Sequence, residues 1–119
     1  MPSTTTYERG QVVVVNVSFS NQSGAKPRPA LVISAEPFHR NLPDVIICPI
    51  SSQPRYHQNP GPGDHPLQHW RTVGLHFPST ARVSNIQTVE KTIIKKILGT
   101  LPGDDLARID NELRTALNL

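Results

Sequence analysis

Acidic residues are sparse in the body of this chain: from residue 9 to residue 103 the only carboxylates are Glu36, Asp44, Asp64 and Glu90, all widely separated. No two of them are spaced to hold the paired cations on which many nucleases rely, so no metal and no cofactor is expected. Cysteine is almost missing too. The single Cys48 cannot form an internal disulfide and sits inside an apolar run, where a thiol is expected to be inert packing. No apolar stretch approaches the ~18 to 20 residues of a membrane span, and the opening "MPSTTTYERGQ" is polar. These features predict no signal peptide, no membrane association and a cytoplasmic protein. A G-x-S-x-G nucleophile elbow, a glycine-rich phosphate loop and internal repeats are all missing.

The 119 residues suit one domain, 1–119, with one real core and marginal stability unless it pairs with another subunit. The net charge of +3 is unevenly spread. Residues 1–103 hold ten Lys and Arg against five Asp and Glu, whereas residues 104–119 hold two against four. A basic body suits a polyanionic partner such as nucleic acid.

The β-branched run "QVVVVNVSF" predicts a strand over 11–18. The turn formers of "SNQSGAKP" follow, and Pro29 leads into a second strand at 30–34. "AEPFHRNLP" reads as irregular or helical, and "DVIICPI" as a third strand buried on both faces. Residues 54–69, "PRYHQNPGPGDHPLQH", carry four prolines and two glycines and predict a long loop. Its His57, His65 and His69 lack the spacing of a zinc site and read as solvated loop histidines. "TVGLHF" and "ARVSNIQTV" read as further strands, and "EKTIIKKILGTL" as a turn or short helix leading into a last strand. The clearest element is an amphipathic helix over 103–118. Leu106, Ile109, Leu113, Ala116 and Leu117 form its stripe, and Asp104 and Asp105 lie in the first turn, where the helix dipole favours anions.

What remains for chemistry is a set of arginines and hydroxyls at strand ends: Arg28 before strand two, Ser51 and Ser52 after strand three, and Arg82 beginning a later strand. Guanidinium groups bind phosphate in a bidentate manner, and hydroxyls add hydrogen bonds to the same oxygens. Such a set could cleave RNA without a metal, because the 2′-hydroxyl is the substrate's own nucleophile and the protein need only position it and stabilise the developing charge. Each residue also has a plainer reading: Arg28 as a turn cation, Ser51 and Ser52 as caps of strand-end backbone, Arg82 as the partner of a carboxylate.

Four ordered segments together resemble the MazF/PemK (Kid) family of toxins from type II toxin-antitoxin systems. "RGQVVVVNVSF" is similar to the family's opening strand, "GAKPRPALVIS" to its G-x-x-R-P signature, "CPISSQ" to its P-[VI]-T-[ST] segment, and "ARVSNIQTVEK" with "KILGTLPGDDLARIDNELRTAL" to its closing strands and helix. The resemblance implies an α+β, mainly β fold, a small SH3-like barrel with a C-terminal helix. It also implies a homodimer, a cognate antitoxin as partner, and metal-independent endoribonuclease cleavage of single-stranded RNA or mRNA that inhibits translation.

By position, Arg28 matches the signature arginine implicated in phosphate binding and acid catalysis. Ser51 matches the catalytic threonine, and Arg82 an arginine that serves as catalytic acid in the Kid-like branch. RNA contacts are expected from Ser23, Lys26, Ser52, Gln53, Arg55, Tyr56, His57 and Ser84. Two departures stand out. Ser84 occupies the place of an aspartate used as general base, with His57 the candidate substitute, and Gln22 and Ser23 replace a Ser-Glu-Gln or His-Glu-Gln run. Two further readings stay open: a gyrase poison like the CcdB toxins, which resemble this fold, and an RNA-binding domain that has lost catalysis.

Overall fold

The β-branched run at the start of the chain forms a strand whose neighbours cover both of its faces. The computed structural model describes residues 6–17 and 26–119. β1 (Gln11–Val17) lies between β2 (Lys26–Val32) and β7 (Ile94–Thr100), both antiparallel to it. Alternation then divides the apolar side chains between two cores. Val12 and Leu31 face one core with Cys48, Ile50, Val73, Ala81 and Ile109, whereas Val13, Val15, Ala30 and Val32 face another with Val45, Ile47, Val89 and Tyr7. A strand that buries both faces must be apolar throughout, which is why "VVVV" does not alternate with polar residues.

β3 (Asp44–Ser51) is the hub of the sheet. Its first half pairs with β6 (Gln87–Glu90), Ile47–Pro49 with β2, and Ile50–Ser51 with β5 (Thr80–Arg82), which in turn pairs with β4 (Asp64–Pro66). The order is β4-β5-β3-β2-β1-β7 with β6 attached to β3, an α+β, mainly β architecture. A one-turn helix α1 (Glu36–His39) follows β2, and α3 (Gly103–Leu117) closes the chain. Among the described residues, no helix is long and apolar enough to cross a membrane.

Four expectations are corrected. The second strand begins at Lys26 rather than at residue 30, because β1 pairs with it from Lys26 onward although β3 pairs only with Ala30–Val32. The stretch before it pairs with β1 alone, so the missing N–H groups of Pro27 and Pro29 cost no ladder bond on the open edge. The expected 54–69 loop contains a short helix, α2 (Pro54–Gln58), and β4. Pro54 stands at the start of α2, where an N–H would be unpaired anyway, and Pro66 lies in an outermost strand. Gly63, at φ +82, lets this segment close on the chain beyond β5, since a Cβ there would lie 3.0 Å from the Ser84 nitrogen. Finally, "TVGLHF" is a turn rather than a strand. Leu75 N–H donates to the Trp70 carbonyl, and Val73 and Leu75 pack into the first core without pairing. "ARVSNIQTV" is likewise interrupted by a 3₁₀ turn, Val83–Asn85.

The helix behaves as its stripe predicts only over the first half. Ile109 is fully buried and Leu113 packs on the core, but Leu117 is 54% exposed. Its first-turn carboxylates do more than complement a dipole. Asp105 is fully buried and accepts hydrogen bonds from His65 Nε2 (2.9 Å), Gln68 N–H (3.0 Å) and His69 N–H (3.0 Å). Asp104 accepts from His69 Nε2 at 2.8 Å. Two of the three histidines read as solvated are thus clasped to α3, because the fold lays the 64–70 segment across the helix start.

Removing the buried Asp105 carboxylate leaves three donors without their acceptor at once, the buried His65 ring nitrogen and two part-buried backbone N–H groups. Asp105→Ala is therefore expected to cost about 3–5 kcal/mol, read from the urea midpoint at unchanged m-value. The outer clasp has a pH signature. The hydrogen bond between them holds the Asp104 carboxyl below its ordinary 3.8 and His69 above its ordinary 6.5. A lowered carboxyl contributes stability above its unfolded value and loses it as pH falls, while a raised imidazole contributes fully below its unfolded value and loses it as pH rises. The clasp is then fully formed between pH 3.8 and 6.5. The stability difference between the wild type and His69→Ala, measured by urea titration at a series of pH values, should be widest in that window and shrink above it.

Candidate functional site

Arg28 rises from the part of β2 that runs beyond the end of β3, and it is exposed. Ser51 ends β3, and Ser52 and Gln53 lead from it into α2. Arg82 ends β5, two residues beyond Thr80, Ser51's own partner in the sheet. Side chains far apart in the chain therefore converge. Arg28, Ser51, Ser52, Gln53, Arg55, Tyr56, Arg82 and Asn85 line a single cleft of about 360 Å³.

Within it, Arg82 is held in one orientation. Its Nε donates to Asp64 Oδ1 at 2.9 Å, across the β4–β5 ladder in which the two residues are paired. Its guanidinium lies 3.8 Å from the centre of the Tyr56 ring. Asp64 is buried, and its other oxygen accepts from Gly61 N–H at 3.0 Å. With Nε occupied and one face on an aromatic ring, Arg82 has its terminal nitrogens left to meet an anion. Arg55 also lies against Tyr56, at 4.7 Å, and donates to its phenol oxygen at 2.7 Å. Arg28 makes no hydrogen bond or ion pair among the described residues, so its charge is available. The Ser51 hydroxyl accepts from Gln53 N–H at 3.2 Å and so shapes the entry to α2 while its own proton stays free to donate.

His57 lies on the far side of α2, half-buried. Its Nδ1 lies 3.2 Å from the Ser79 carbonyl and 3.4 Å from Thr80 Oγ1, and in the tautomer that donates from Nδ1 to the carbonyl, Nε2 has the lone pair. It lines an adjoining pocket with Ser52 and Phe77. Ser84 does not line the cleft and sits in the 3₁₀ turn against Gly63. Lys26 stands outside the cleft, toward the open end of β2. Ser23 falls outside the described residues. Cys48 is fully buried, and its thiol is pushed up to about 12 by burial, which fits inert packing.

A family model described as "PemK-like, MazF-like toxin of type II toxin-antitoxin system" matches residues 8–117. The chain belongs to the PemK/MazF toxin family. Solved structures agree on the fold. An endoribonuclease in complex with its cognate antitoxin from a mycobacterial species shares a TM-score of 0.75 at 20% identity, covering 95% of this chain and 96% of that one. MazF in a MazE-MazF crystal from Deinococcus radiodurans gives 0.76 at 21% identity, over 97% and 99%. A Mycobacterium tuberculosis toxin, MazF-mt6, gives 0.73 at 19%, over 92% and 97%. No curated protein matches. The gyrase-poison reading is not favoured by this membership, and Trp70 packs against the first core.

For this PemK/MazF chain, reading the sequence found the arginines and serines of the cleft and missed two residues that arrange it. Asp64 holds Arg82, and its only sequence signal is that it is one of the few carboxylates in a basic body. Asn85 reaches the cleft through the 3₁₀ turn that interrupts the expected strand.

Proposed function

We propose that this toxin is a metal-independent endoribonuclease acting on single-stranded RNA, and that Arg28, Ser51 and Arg82 carry the reaction. The observation that supports this most is the meeting of three guanidinium groups, from β2, α2 and β5, and two serine hydroxyls from the end of β3 in one cleft large enough for a nucleotide unit. In the proposed reaction Arg28 binds the scissile phosphate and the Ser51 hydroxyl donates to one of its oxygens. At Ser52, which lines both the cleft and the adjoining pocket, the 2′-hydroxyl gives its proton to Nε2 of His57, which passes it on to solvent, and its oxygen bonds to phosphorus. The bond from phosphorus to the 5′-oxygen breaks, and that oxygen leaves with a proton from the Arg82 guanidinium, which Arg82 regains from solvent. The products are a 2′,3′-cyclic phosphate and a 5′-hydroxyl. DNA, without the 2′-hydroxyl, is spared.

The same reading assigns Ser23, Lys26, Ser52, Gln53, Arg55 and Tyr56 to the RNA path. Ser84, away from the cleft, is left at its margin. The protein acts in the cytoplasm as a homodimer. A cognate antitoxin, of the kind found in complex with one of the structural relatives, blocks it, and in this reading does so by laying an acidic or amphipathic segment over the basic cleft.

Incubating the purified protein with a long RNA in EDTA and mapping the ends tests the reading. Discrete cuts are expected, reduced at least 100- to 1,000-fold in Arg28→Ala with the melting temperature unchanged. A fully active Arg28→Ala would refute the assignment, and RNA binding without cutting would favour a domain that has lost catalysis. For His57, the informative variant is His57→Asn, whose amide can keep the bond to the Ser79 carbonyl while supplying no base. It should bind RNA as the wild type does and turn over far more slowly. Wild-type turnover in this variant would remove His57 from the reaction.

A further inference from the structure

Tyr56 and Trp70 are poor platforms for a nucleobase, since guanidinium groups already lie against both rings: Arg82 and Arg55 on Tyr56, and Arg71 at 4.9 Å on Trp70. Phe77 is different. It is 65% exposed, a large loss of hydrophobic contact for a ring that could have packed inward. The backbone beneath it is pinned, because the Ser79 hydroxyl donates to the Phe77 carbonyl at 2.7 Å.

Phe77 stands over a groove of about 400 Å³ that shares Arg28 and Ser52 with the cleft. The groove runs across a rung of three strands: Val14 of β1 is paired with Pro29 of β2 on one side and with Lys96 of β7 on the other. Its floor is apolar, with Val14, Pro29, Leu75 and Leu98, and Lys96 is an exposed cation on the far wall. An aromatic surface, an apolar floor and a cation on each side match the parts of one nucleotide, a flat base and an anionic phosphate.

We propose that this groove is a second nucleotide subsite, in which the base next to the cleaved linkage stacks on Phe77 and the adjoining phosphate is held by Lys96, so that Phe77 helps to decide which RNA sequences are cut. The inference rests on the endoribonuclease reading for its substrate class. Its occupant follows from the groove's continuity with the cleft and from the charge that Arg28 and Lys96 present to a phosphate chain.

Single-stranded 2′-O-methyl RNA oligonucleotides, which cannot be cut through the 2′-oxygen, separate the two ideas. Fluorescence anisotropy should show Phe77→Ala binding them roughly 5- to 150-fold more weakly, with Phe77→Trp restoring affinity. Lys96→Gln should reduce the slope of log affinity against log salt by about 0.7. On a long cuttable RNA, Phe77→Ala should redistribute the cuts, whereas Arg28→Ala removes them. Wild-type affinity, salt slope and cut pattern in both variants would overturn the subsite. So would a Phe77→Ala protein that binds RNA normally but changes its mass in light scattering, since the patch would then be a face between copies. Weaker antitoxin binding with RNA binding unchanged would also overturn it. A wild type that binds the oligonucleotides but cuts no RNA would refute the catalytic reading while the binding measurements still decide the subsite, and one that binds no RNA would refute both.

Discussion

The Asp105 carboxylate is the point on which the arrangement of the cleft depends. Buried at the start of α3, it takes hydrogen bonds from His65 and from two successive backbone N–H groups, and so fastens the 64–70 segment to the helix. That fixes β4, and with it Asp64, the residue before His65 on the strand. Asp64 in turn sets the direction of Arg82 across the ladder, and Arg82 lies on Tyr56 at the wall of the cleft. A buried anion three steps away thereby orients a cation at the site. The first and last links, His65 to Asp105 and Arg82 to Asp64, are hydrogen bonds to a buried carboxylate, directional and expensive to leave unmade, and the backbone of β4 joins them.

The other wall depends on the sheet. β1 and β2 are held by cores on both faces, and the prolines on either side of Arg28 occupy an open edge where no ladder bond is lost. Proline's fixed φ adds stiffness. Arg28 therefore stands on a rigid, two-stranded stem rather than on a turn, and its side chain is the one flexible part. Fixing Arg82 by an ion pair and Arg28 by its backbone leaves little to reorganise when an anion arrives, the condition under which electrostatic stabilisation is most effective.

Local chemistry made much of this legible. The unbroken β-branched runs at 12–15 and 45–47 mark strands buried on both faces, and the three- and four-residue spacing from Leu106 to Leu113 marks the closing helix. The clustering of Arg28, Ser51 and Arg82 at strand ends, together with the resemblance of four ordered segments, led to the family and to most of the cleft. The errors fall where local preference competes with tertiary pairing. Prolines argued against a strand at 26–29 and at 64–66, but proline is excluded only where its missing N–H would be needed, and edge positions do not need it. The apolar alternation of "TVGLHF" looked like a strand, yet Val73 and Leu75 satisfy the same burial from a turn.

What the sequence by itself determined is the burial pattern and the inventory of charges, because both follow from the preference of each residue for water or for its neighbours along the chain. What only the tertiary structure decided is pairing. That Asp64 faces Arg82, that Asp105 holds His65, that two histidines are clasped while a third lines a pocket with Ser52, and that Phe77 is left exposed over a groove are all results of strand register and helix docking. These contacts join residues 18 to 40 positions apart. No local preference encodes such a distance, since each bond exists only once the two cores have brought its partners together and excluded the water that would otherwise satisfy them.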